Sequence, residues 1–118
     1  MVTKVRDSIL SALSKKGWSG EVIVDRESAI TITSVRERIG LCIQTGNMAR
    51  MYADLMKLQV LYVRRSIDAA VLVLPTARTA KLFGSNVANQ ERLMRELSIF
   101  SPVITVPLVA VGLGGDAR

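Results

Sequence analysis

The chain has 118 residues, enough for one domain with its own core, and 49% of them are hydrophobic. It contains no histidine and one cysteine, Cys42, which excludes Ser-His-Asp and Cys-His catalysis, zinc sites of the usual ligand set and any internal disulfide. The net charge of +6 points to a polyanionic partner such as nucleic acid.

Residues 4–16 read as an amphipathic helix with Thr3 as its N-cap. Val5, Ile9, Leu10 and Leu13 fall on one face, and Lys15, Lys16 and Gly17 close it. Three strand-like runs follow at 21–26, 29–34 and 38–44, the first two alternating apolar and polar residues. A long helix is expected over 47–65. Met48, Met51, Tyr52, Leu55, Leu58 and Tyr62 form its stripe, yet Met56, Val60, Leu61 and Val63 lie off it. A helix that is apolar nearly all round is central in a core or shared with a partner subunit. Residues 68–74 read as a buried strand closed by Pro75, and 77–83 as a short helix. Asn86 or Asn89 caps the next helix, over 89–100, and 102–113 is a mostly apolar strand. Residues 1–113 are expected to form one domain and 114–118 a flexible tail. This order predicts an α/β fold, a mixed sheet flanked by helices. Aromatics make up only 4% of the chain, so the core must be aliphatic.

No apolar run reaches the roughly 18 residues of a membrane span. MVTKVRDSIL lacks the apolar stretch and cleavage site of a secretion signal. With a lone cysteine, these features set the expectation of a cytoplasmic protein without a membrane partner.

From residue 33 onward the chain resembles the BglII-type branch of the PD-(D/E)XK restriction endonucleases. The resemblance rests on IGLCIQTGN (39–47), ARMYADLMKLQVLY (49–62), IDAAVLVLPT (67–76), GSNVANQERLMREL (84–97) and VITVPLVAVGL (103–113), which keep their order without large insertions. It implies a restriction-endonuclease-like mixed central sheet flanked by helices, and a homodimer clasping double-stranded DNA. In that family an aspartate precedes a Glu-x-Gln triplet by nine residues, and these groups hold the catalytic divalent metal. Here the triplet reads Cys42-Ile43-Gln44 and Thr33 stands nine residues upstream, so only Gln44 is kept.

A hairpin of 29–34 and 38–44 turning at Arg36-Glu37 would set Thr33 opposite Gly40 and diagonal to Cys42, roughly 7–8 Å away. Two carboxylates so placed could share a cation. A neutral hydroxyl and a mostly protonated thiol make poor ligands for a hard cation. The reading is therefore of degenerate positions Thr33, Cys42 and Gln44, no metal, no cofactor and no enzymatic activity. Glu37, Asp25, Glu27, Asp54 and Asp68 read as structural carboxylates. DNA contacts are assigned to Arg36, Arg38, Asn47, Arg50, Lys57, Arg78, Lys81, Ser85 and Asn86, which would hold phosphates without reading sequence.

The function expected is non-catalytic DNA binding by a nuclease fold, regulating or blocking access to DNA. The alternatives are a protein-interaction module (an inhibitor, an anti-defence protein or the inactive partner of a nuclease) and a divergent metal-dependent endonuclease with a relocated carboxylate. A homodimer through the helix at 47–65 accompanies the first reading.

Overall fold

The computed structural model describes residues 2–114; of the tail expected at 114–118, residues 115–118 lie outside the described residues. Helix α1 (Val2–Lys15) begins one residue ahead of Thr3. The expected cap therefore sits inside the first turn.

The strands differ from expectation in one instructive way. The run at 29–34 is divided at Thr33 between two sheets. β2 (Ile30–Ile32) pairs antiparallel with β1 (Val22–Asp25) in a separate ribbon, while β3 (Ser34–Arg36) joins the main sheet. There β3 pairs antiparallel with β4 (Ile39–Ile43) through a two-residue turn at Glu37-Arg38, not Arg36-Glu37. Both turn residues have positive φ, 49° and 66°, the backbone that matches the right-handed twist of a hairpin. The pairing sets Val35 against Gly40 and Ser34 against Leu41. Continued one step, it brings Thr33 opposite Cys42. The diagonal arrangement expected from the earlier turn is corrected by this shift.

The remaining pairings are parallel: β4 with β5 (Ala69–Pro75), and β5 with β6 (Leu108–Leu113), in the order β3-β4-β5-β6. Parallel neighbours need long crossovers. Helix α2 (Met48–Val63) supplies the first, and α3 (Ala77–Phe83) with α4 (Gln90–Phe100) supplies the second. β6 is shorter than the apolar run at 102–113, because residues 102–107 form the approach to it.

Two hydrophobic layers hold the sheet. On one face Met51, Leu55 and Leu58 of α2 and Leu93 of α4 pack with Cys42, Ala70, Leu72 and Leu74. On the other, Ile9, Leu10 and Leu13 of α1 and Trp18 cover Leu41, Ile43 and Val73. Full burial of each large aliphatic side chain stabilises by about 1.5–3 kcal/mol, which makes α2 the principal support of the fold. Asparagine and threonine side chains start α2, α3 and α4. Asn47 accepts from the Arg50 amide, Thr76 from Thr79 and Asn89 from Arg92. Asn89 is thus the cap of α4, and Asn86 lies in the preceding loop with φ of 55°.

Candidate functional site

β4 ends at Ile43, and the chain beyond it opens a cleft of about 450 Å³ between the sheet, α1 and α2. The floor is Thr33, Cys42 and Gln44, the three positions singled out in the sequence. Arg50, Asp54 and Lys57 enter from α2, Arg6 from α1, and Glu21 from the segment before β1.

Gln44 organises the floor. Its backbone N–H donates to Val73 at 2.8 Å, which locks the end of β4 to β5. Its side-chain Nε2 donates to Asp54 Oδ2 at 2.7 Å, and its Oε1 accepts from the Gly46 N–H at 2.7 Å. A Cβ at residue 46 would meet that same Oε1 at 2.7 Å, so any larger residue there must displace the Gln44 side chain. Thr33 Oγ1 accepts from the Ile43 N–H at 3.2 Å, and Arg6 donates to the Ile43 carbonyl at 3.0 Å.

Two ionisable groups of the cleft, Cys42 and Asp54, are shifted by burial. Desolvation pushes the Cys42 thiol up to about 12, with the nearby Asp54 charge adding to the shift. Burial likewise raises the Asp54 carboxyl above its ordinary range, against the opposing pull of Gln44, Lys57 and Arg6. Lys57 Nζ stands 3.5 Å from Asp54 Oδ1. At the cleft edge Glu21 accepts a hydrogen bond from Thr31 at 3.2 Å.

A hard divalent cation needs several oxygen ligands carrying negative charge. Thr33 offers a hydroxyl already engaged with backbone, Cys42 a protonated thiol, and Gln44 a carbonyl spent on Gly46. No group of three or more potential ligating side chains is found among the described residues. The donor set here does not fit the metal that the resemblance implies.

The basic residues assigned from the sequence are distributed unevenly. Arg50 and Lys57 line the cleft. Asn47 sits at its rim, where its side chain is the α2 cap. Arg36 and Arg38 lie at the opposite end of β4. Arg38 is paired there with Asp68 at 2.9 Å and donates to the Arg65 carbonyl, so neither is brought to the cleft. Lys81, Ser85 and Asn86 line a second, shallower pocket with Asn89 and Arg92. Two links tie this pocket to the cleft rim: the Ala88 N–H donates to the Gly46 carbonyl at 2.8 Å, and Asn47 bridges Val87. Arg78 belongs to α3. Arg6 and Glu21 were not singled out in the sequence. Arg6 falls on the apolar stripe of α1, three and four residues ahead of Ile9 and Leu10, and is half-buried; a cation at that spacing is the signal that could have found it.

This architecture is that of a restriction endonuclease. The crystal structure of restriction endonuclease BglII complexed with a DNA 16-mer matches with a TM-score of 0.81 at 15% identity, over 96% of this chain and 56% of that one. The chain therefore spans little more than half the length of that neighbour. No curated protein matches. The family model described as restriction endonuclease BglII/BglIII matches residues 2–113, and the chain belongs to that family. Membership corrects one expectation. The family is one of enzymes, and neither match marks this chain as inactive, so the reading of a non-enzyme drawn from Thr33 and Cys42 is overturned.

Proposed function

We propose that the protein binds double-stranded DNA across the cleft, with phosphates held by Arg6, Arg50 and Lys57. The observation that carries this reading is the convergence of three cationic side chains from two helices on the strand ends. Lys81, Ser85 and Asn86 extend the same edge, so a duplex crossing it would meet both pockets. Contacts of this kind place a backbone and do not read bases. Binding is expected to tolerate sequence changes, to be micromolar or weaker at physiological salt, and to weaken steeply as salt rises.

Fluorescence anisotropy with a labelled 20-base-pair duplex, read from about 50 to about 200 mM salt, tests it. Binding that weakens by at least tenfold over that range is the expected result. Absence of binding at the low end overturns it in favour of a protein partner.

A second reading, phosphodiester cleavage in the same cleft, is favoured by family membership and by the two carboxylates, Asp54 and Glu21, that line it. Asp54 is the group suited to proton transfer, because its raised pKa brings it nearer the working range of a general acid or base. Nicking of supercoiled plasmid that is lost in Asp54→Asn supports this reading. Nicking unchanged in that variant removes it.

A further inference from the structure

The donor set of the cleft does not fit a divalent metal, yet the fold supplies a cation there. Thr33, Cys42 and Gln44 bring no charge to the floor, and Asp54, 8% exposed, is the carboxylate buried beside them. Lys57 Nζ stands 3.5 Å from Asp54 Oδ1, and Gln44 Nε2 holds Oδ2 at 2.7 Å. Both carboxylate oxygens are therefore engaged by side chains of the fold. Lys57 lies three residues beyond Asp54 on α2, the spacing that brings two side chains together on one helix face. Its charge also reaches Cys42. Against the rise that desolvation imposes on that thiol, Lys57 and Arg6 pull the other way.

The balance of charge points in the same direction. Three cations, Arg6, Arg50 and Lys57, line the cleft against two carboxylates, Glu21 and Asp54, an excess of one positive charge. That excess draws a phosphate and repels a dissolved divalent cation. Mg²⁺ gives up its water reluctantly and is held by one or two carboxylates together with substrate phosphates. Here the buried carboxylate is already bonded on both sides. An ammonium has three donors and needs no built coordination shell. With one directed at Asp54, the others remain for phosphate oxygens. Because it is tethered to α2, its effective concentration in the cleft does not depend on the ions in solution.

We propose that the Lys57 ammonium takes the place of a divalent metal in this cleft, so that a duplex phosphate is bound there without a metal ion. The inference rests on the reading of the cleft as a DNA site, and it deepens that reading by assigning the charge that meets the phosphate at the floor.

The test has two arms. In the first, anisotropy with the labelled duplex should give the same affinity, within about twofold, in EDTA and in millimolar Mg²⁺ at matched ionic strength. Lys57→Gln should bind more weakly in EDTA and recover about threefold or more on adding Mg²⁺, because Asp54 is then left to a dissolved ion. The second arm needs no DNA. The melting temperature of wild type should not move with Mn²⁺. That of Lys57→Glu, which sets a second carboxylate one turn from Asp54, should rise by several degrees. Arg92→Glu makes a similar pair with Glu96 outside the cleft and should rise by less. A wild type that needs Mg²⁺ to bind the duplex, or that melts higher in Mn²⁺, overturns the proposal. So does a Lys57→Gln variant indifferent to Mg²⁺, or a Lys57→Glu variant that responds no more than Arg92→Glu. If Lys57→Glu does not fold, the wild-type melting curve and the Lys57→Gln titration decide. Absence of duplex binding in both buffers removes the DNA reading of the cleft, and the thermal arm alone then decides whether Lys57 holds the metal's place.

Discussion

One helix serves two unlike regions. At about 100° per residue, α2 presents Arg50, Asp54 and Lys57 on one stripe, Met51, Leu55 and Leu58 on a second, and Tyr52, Met56 and Val60 on a third. The first stripe faces a cleft whose polar groups are tied into a hydrogen-bonded floor. The third faces a groove lined by Tyr52, Met56, Phe100, Val103 and Ile104, none of them charged. It is held by the edge-on contact of Tyr52 with Phe100 and by Gln59, which accepts from the Thr105 and Val106 amides. Both are concave, yet the cleft suits an anion and the groove does not. The difference shows that side-chain chemistry on a shared support, more than shape, decides what each concavity can hold.

The largest expected effect separates the supporting stripe from the open one. Leu58 is fully buried, so Leu58→Ala should cost about 2–5 kcal/mol in denaturant unfolding. Met56→Ala, at an exposed position, should cost under about 1 kcal/mol. Equal losses would break the division of α2 into stripes.

Next in size is Gly46→Ala. The added methyl must displace Gln44 Oε1, which is pinned by Gly46 itself and, through the amide, by Asp54. A loss of about 1–3 kcal/mol is expected. The variant should also weaken DNA binding, because the floor shifts with it. A neutral substitution would mean that the floor is looser than its hydrogen bonds indicate.

Smaller effects distinguish the two concavities by ligand. Arg50→Ala and Lys57→Ala should each weaken duplex binding several-fold and lower the salt slope by roughly one. Met56→Glu should leave the slope unchanged. An equal change in slope from Met56→Glu would place the DNA on the groove.

The smallest effect is a pH dependence. Asp54 has its pKa raised in the folded state by burial, so the folded chain holds that proton at pH values where the unfolded chain has lost it. Between the ordinary and the raised value stability therefore falls as pH rises, and protonation favours the fold. Asp54→Asn should flatten this part of the stability profile relative to wild type. A difference profile of the opposite slope would mean that Lys57 and Arg6 outweigh burial.

Much of the architecture was legible in the residues. The helix at 47–65 and the buried strand at 68–74 were placed within a few residues, because long periodic runs leave little choice of state. The hairpin was not. The Glu37-Arg38 turn hinges on non-glycine residues at positive φ, and the Thr33 break hands one continuous run from one sheet to another; sequence announces neither. In the cleft, Arg50 and Lys57 were foreseen, while Arg6 and Glu21 were not. They reach it from α1 and from the segment before β1, distant in the chain from β4.

By itself the sequence determined the fold class, the aliphatic core, the family resemblance and the unusual residues at 33 and 42. It did so because periodicity and residue chemistry are local properties. Only the tertiary structure decided that Arg36 and Arg38 stand away from the cleft, that Gln44 is braced by Asp54, and that α2 keeps one apolar flank open. Those facts depend on which elements pack against each other, and a one-residue shift in a strand turns every side chain to the other face.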